Sequence, residues 1–224
     1  MDALIMSCGT GGGHNAAGTA IAEELNLRGH HAVMINPYSL CDNKSEHIID
    51  NIYISIVKTF PKAFGLIYGL GNLYRKLPFR SPVYHLNRLM MKNMQAYLKE
   101  NPADIIIMPH LFPAEIITSM KNAGIYPGIS IFIATDYTCI PFTEETDCDY
   151  YIIPSADLKN EYTKRGIPKE KLMPFGIPCR FDFTASYSKS DAKKSLGLDK
   201  SKKYILISGG SMGAGKVGLA IKVL

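Results

Sequence analysis

The sequence predicts an α/β protein built on a parallel sheet covered on both faces, and three observations predict it. Short apolar runs alternate with helix-patterned segments along almost all of the 224 residues. Those runs are continuous rather than alternating, as expected for strands buried on both faces. The first run breaks into a glycine-rich turn that opens a helix, a unit typical of parallel α/β folds.

The elements follow in order. A strand over 3–8 leads into Gly9, Gly11, Gly12 and Gly13, then His14 and a helix over 14–28 that Gly29 can close in a left-handed cap. A strand at 31–36 (HAVMIN) precedes a helix near 45–58. Ser81 as N-cap and Pro82 at the first helical position start a helix over 82–99. Its stripe of Leu86, Leu89, Met90, Met94, Tyr97 and Leu98 is expected to face the core, with Arg88, Lys92 and Lys99 off it. Strands at 104–108, 129–134, 150–153 and 172–175 then alternate with helices at 113–123 and 156–165, the latter capped by Ser155 and stopped by Gly166. Residues 179–190 lose apolar periodicity and read as a linker. A helix over 189–196, a strand over 203–208 and the loop GGSMGAGK follow. One complete domain over 1–180 is therefore expected, then a linker and the opening strand–loop–helix of a second domain over 181–224. Such a unit alone cannot complete an α/β domain, which normally needs about 100 residues, so the sequence reads as a truncation or gene fragment.

Composition excludes several classes. No apolar run approaches the roughly 20 residues of a bilayer-spanning helix. The five cysteines (Cys8, Cys41, Cys139, Cys148 and Cys179) form no CxxC pair, and with no signal peptide before the first strand they read as reduced core thiols of a cytosolic protein. No metal-ligand spacing is present. The net charge of +5 is unevenly spread: residues 51–99 hold eight Lys or Arg and no Asp or Glu, leaving the remainder net negative. Aromatic residues interleave with those bases, which suits an anionic lipid surface, with Lys58, Lys62, Phe64, Tyr68, Tyr74, Arg75 and Lys76 as the contact residues. Nucleic acid would also attract such a patch, and an ordinary domain face with acidic partners elsewhere is the plain alternative.

Two glycine loops invite chemistry. Glycine lets a ligand approach the backbone, and the amides of a helix start favour anionic oxygens. The second loop ends Gly215-Lys216-Val217, one hydroxyl short of a P-loop, so ATP hydrolysis on that scaffold is not expected although phosphate binding remains sound. His14 stands where a base would be useful, and the positive end of its helix favours a neutral ring. Asp136 is expected at the carboxyl end of a central strand, the edge where open parallel sheets bind ligands.

Several motifs occur in a distinctive order: Gly11-Gly12-Gly13-His14-Asn15, Pro109-His110, Thr135-Asp136, YIIPS over 151–155, Gly176-Ile177-Pro178, and Gly209-Gly210-Ser211-Met212-Gly213. On these the chain resembles the monogalactosyldiacylglycerol synthase and processive diacylglycerol glucosyltransferase family, GT-B glycosyltransferases related to the enzyme that completes lipid II. The resemblance implies two Rossmann-like domains facing a cleft, the first binding a lipid acceptor and the second a UDP-sugar. The implied reaction moves a hexose from a UDP-sugar, a substrate rather than a cofactor, onto diacylglycerol. It needs no metal and takes place at the inner face of the cell membrane, where the cytoplasmic protein is peripheral. His14 would be the base and Asp136 its orienting partner or an acceptor ligand. Gly11, Gly12, Gly13, Pro109 and His110 would line the acceptor site, and Gly210, Ser211 and Gly213 would hold the donor. Most of the donor domain is absent from these residues, so the isolated fragment is expected to be inactive. A related enzyme with a polyprenyl-linked acceptor and a non-catalytic nucleotide- or membrane-binding module are the alternatives.

Overall fold

The structure is a computed structural model that describes residues 1–9, 12–40, 74, 79–183, 186–209, 218–219 and 221. Six parallel strands form one sheet in the order β2-β1-β3-β4-β5-β6. They are β1 (Asp2–Met6), β2 (His31–Ile35), β3 (Ile105–Met108), β4 (Ile129–Ile133), β5 (Tyr150–Ile152) and β6 (Leu172–Met173). The helices are α1 (Gly12–Leu27), α2 (Pro82–Arg88), α3 (Met91–Glu100), α4 (Leu111–Asn122), α5 (Lys159–Lys164) and α6 (Lys189–Ser195). The expected parallel α/β sheet is present, and its first-to-last order has one reversal, between β1 and β3.

Side chains alternate across the sheet and divide the core in two. Leu4, Met6, Ile106, Met108, Phe132 and Tyr151 join the larger cluster with α4, while Ala3, Ile5, Ala32, Ile107 and Ile133 join a smaller one against α1. α4 is buried without interruption from Pro113 to Met120, and α2 and α3 pack against it. Four caps expected from the sequence form. Ser81 accepts from the Tyr84 amide, Ser155 accepts from the Asp157 amide at the start of a 3-10 turn (Ala156–Leu158) that runs into α5, and Gly29 and Gly166 adopt φ of 79° and 94° at helix ends. The α1 helix approaches the sheet most closely at Gly18. A Cβ there would lie 2.8 Å from Met34 Sδ and 3.3 Å from Ile5 Cγ2.

Four expectations need correction. The helix over 82–99 is two helices, separated at Leu89 and Met90. Leu86 and Leu89 face solvent, 65% and 73% exposed, rather than the core. The reason lies in Asn87, whose buried amide is bound on both sides and turns the α2 face carrying Tyr84 and Asn87 inward. The segment 203–208 is not a strand: among the described residues it pairs with none, and Ile205 and Leu206 are exposed. Unpaired backbone gains nothing from an extended apolar sequence alone. The strand over 172–175 shortens to two residues, and the helix near 45–58 lies outside the described residues. Cys8, Cys139 and Cys148 are buried, and burial pushes the thiols of Cys139 and Cys148 up to about 12, so they behave as inert packing groups. Cys179 is exposed.

Candidate active site

In an open parallel sheet, ligands bind beyond the carboxyl ends of the strands, at the point where strand order reverses. Here that point lies between β1 and β3, and the chain leaving each strand meets there. Beyond β1 runs the loop into α1, which carries His14 in its first turn. Beyond β3 come Pro109 and His110, with His110 as the N-cap of α4. Thr135 and Asp136 follow β4, one strand further along. Ser7 donates to Asn15 Oδ1 at 2.6 Å and so ties the end of β1 to the first turn of α1.

His14 is half-buried and its Nδ1 lies 2.7 Å from the Pro109 carbonyl oxygen. A carbonyl only accepts, so this nitrogen carries the proton and donates. The Thr135 hydroxyl lies 2.8 Å from the same nitrogen and serves as a second acceptor. Nε2 of the neutral ring is then the lone-pair nitrogen, the one able to accept a proton from a ligand. A narrow cleft is lined by His14, Pro109, Thr135, Asp136, Thr138 and Tyr162, among others.

Five expected site residues therefore converge: His14, Asp136 and Pro109 on the cleft, with Gly12 and Gly13 in the first turn of α1. Asp136 is half-buried beside His14, but the nitrogen an orienting carboxylate would hold is already taken by Pro109 and Thr135. Gly13 needs no special backbone, since its φ is not positive and a Cβ would meet nothing within 4 Å. His110 differs most from expectation. It is 7% exposed, its Nδ1 accepts from the Phe112 amide at 3.1 Å, and its ring packs edge-on to His14 with centroids 4.6 Å apart. Burial, together with the neighbouring His14, holds its pKa well below the usual imidazole value, so it is neutral. It packs against His14 and is not among the residues that line this cleft. Gly11, the donor residues Gly210, Ser211 and Gly213, and the contact residues Lys58, Lys62, Phe64, Tyr68, Arg75 and Lys76 lie outside the described residues. Tyr74 is described: it donates to the Arg80 carbonyl at 3.3 Å and meets the Phe142 ring edge-on.

Sequence reasoning missed a polar cluster behind this site. Glu115 of α4 is fully buried and accepts from Asn87 Nδ2, while Tyr38 donates to Asn87 Oδ1. Burial pushes the Glu115 carboxyl up to about 8, against the smaller opposing effect of the Asn87 hydrogen bond. Nearby, Glu145 accepts from the Ser81 amide and hydroxyl, both at 2.6 Å, and Arg80 donates to the Glu145 carbonyl. These bonds fasten α2 to the body. A lone Glu within the apolar run LFPAEIITSM was the available signal.

The fold and cleft define a Rossmann-like domain with a histidine at its switch point. A family model described as monogalactosyldiacylglycerol (MGDG) synthase matches residues 14–179, so the chain belongs to that family. Among relatives, a processive diacylglycerol beta-glucosyltransferase of Bacillus pumilus is 27% identical, over 94% of this chain and 54% of its own length. The uncharacterized glycosyltransferase YkoN of Bacillus subtilis is 25% identical, over 92% of this chain and 53% of its own. The chloroplastic monogalactosyldiacylglycerol synthase of Spinacia oleracea is 25% identical, over 99% of this chain and 43% of its own. The chain thus spans about half the length of these relatives. Among the described residues, no helix is long and apolar enough to cross a membrane.

Proposed function

We propose that this chain is the acceptor-binding part of a glycosyltransferase that moves a hexose from a UDP-sugar to the primary hydroxyl of diacylglycerol. The observation that carries the reading is His14, whose Nδ1 is occupied by the Pro109 carbonyl and Thr135, so that Nε2 is the basic nitrogen. An alcohol is a poor nucleophile at neutral pH, and a positioned base removes that obstacle. Nε2 takes the hydroxyl proton as the alcohol oxygen bonds to the anomeric carbon. The bond from that carbon to the phosphate oxygen breaks with its electron pair, and UDP leaves. Family membership and the names of the relatives support the substrate class.

Diacylglycerol resides in a bilayer, so the enzyme must work at its surface. The exposed side of α2 supports that. Phe79, Leu86 and Leu89 are exposed apolar residues, and Arg88 and Lys92 are exposed bases beside them. Apolar side chains at the headgroup level, flanked by bases, match an anionic lipid surface at the inner face of the cell membrane.

The test is transfer assayed in a chain with the length its relatives have, using UDP-glucose and UDP-galactose as donors and diacylglycerol in vesicles. His14→Ala should lower kcat by about two to four orders of magnitude, the usual contribution of a general base. Undiminished turnover in that variant, or no turnover with either donor, would refute the reading.

A further inference from the structure

We propose that Pro109 and His110 together form the positioning device for His14, the carbonyl choosing which ring nitrogen bears the proton and the second imidazole fixing the plane of the first. This rests on His14 being the base, and it gives the dipeptide a role other than lining an acceptor pocket. Both parts leave β3 on consecutive residues, at the point where the strand order reverses. The Pro109 carbonyl accepts from His14 Nδ1 at 2.7 Å. The His110 ring meets His14 at 4.6 Å between centroids and 76° between planes, and meets Phe112 at 4.6 Å and 75°. Both contacts are edge-to-face.

A cap alone does not account for histidine here. Ser, Thr, Asp and Asn are the favoured N-caps, being short side chains whose oxygen reaches the helix amides. His110 performs that task through Nδ1, which accepts from Phe112 and so places its own proton on Nε2. The capping bond therefore fixes which nitrogen of the wall carries its proton, much as a ligating histidine is set by the partner of its other nitrogen. A wall that stays neutral adds no charge against a proton arriving on His14, and burial keeps His110 in that state. The other ionisable groups on the cleft are Asp136 and Tyr162; burial pushes the Tyr162 phenol well above its ordinary value, so it is neutral as well.

Nitrogen NMR of this chain, labelled at its histidine rings, tests the proposal without requiring turnover. Neutral wild-type His14 is expected to show a protonated Nδ1 and an unprotonated Nε2. His110→Asn keeps a capping acceptor but removes the wall. With the Pro109 bond still in place but the ring plane no longer held, the Nδ1 proton should then exchange with water faster than in the wild type, and the two nitrogen shifts should move toward their average. His110→Phe keeps a wall but removes the acceptor, so the wild-type His14 shifts should persist while the thermal midpoint falls. A wild-type His14 protonated at Nε2 overturns the proposal, and so does a His110→Asn spectrum identical to wild type. If neither variant folds, the wild-type tautomer alone decides. Turnover of His14→Ala is a separate reading, so failure of the base assignment is distinguishable from failure of the positioning role.

Discussion

Glu115 shows how one buried side chain makes the fold sensitive to pH. Its carboxyl is buried in α4 and holds its proton up to about 8, whereas the ordinary value is 4.5. Between those values the unfolded chain has released a proton that the folded chain keeps, so stability falls as pH rises through that window and levels off above it. The maximum slope is about 1.4 kcal/mol per pH unit. His110 acts in the opposite sense at lower pH: folded, it resists protonation, so acidification below its ordinary value of 6.5 destabilises. Denaturant unfolding measured between 6.5 and about 8 therefore isolates Glu115. Glu115→Gln, which stays neutral and can still accept from Asn87, should flatten that slope. An unchanged slope would mean that the carboxyl is ionised in the fold. These roles were only partly legible. His14 was visible because it follows a glycine turn, but the packing of His110 on His14 and the pairing of Asn87 with Glu115, 28 residues apart, depend on contacts between distant residues, which local pattern does not carry.

At the scale of elements, the strands were legible because burial on both faces writes continuous apolar runs. Helix starts were legible where a cap residue announced them, as at Ser81 and Ser155. The break at Leu89 and Met90 was not, since the apolar stripe runs through it and only a buried Asn87 explains the turn. Gly18 is a second silent position. It lets α1 lie close enough to the sheet for His14 to reach Pro109, whose Cγ would stand 3.5 Å from a Cβ at residue 18. Gly18→Ala meets first the movable end of Met34, and the gain in helix propensity of about 1 kcal/mol partly offsets the crowding. Gly18→Val adds two methyls against Ile5 and should cost about 1–3 kcal/mol, the usual penalty of overpacking. Gly13→Ala meets open space and should leave stability equal or slightly raised. Thermal unfolding of the three variants checks that ordering, and a Gly18→Val as stable as Gly13→Ala would show that α1 does not pack as described.

For the whole molecule, the proposed activity requires a domain without a spanning helix among its described residues to reach an acceptor dissolved in lipid. The α2 helix is fastened inward by Asn87 to Glu115 and by Ser81 to Glu145, which leaves Leu86, Leu89 and Arg88 facing outward on a rigid base. Such a face should bind by two separable contributions: apolar insertion, indifferent to salt, and attraction between bases and anionic headgroups, screened within about 10 Å at 0.1 M salt. Sedimentation with vesicles distinguishes them. The chain should bind phosphatidylglycerol-containing vesicles better than pure phosphatidylcholine, and added salt should remove that preference. Leu86→Ser with Leu89→Ser should weaken binding to both kinds of vesicle, because each exposed leucine contributes about 1.5–3 kcal/mol when fully buried. Since both positions are exposed, that pair should leave folding stability within about 0.5 kcal/mol of wild type, so lost binding cannot be ascribed to unfolding. Arg88→Ser with Lys92→Ser should abolish the preference for phosphatidylglycerol and leave residual binding to phosphatidylcholine intact. Equal binding by the leucine variant and the wild type would move the lipid contact away from α2, to surfaces that this helix does not form.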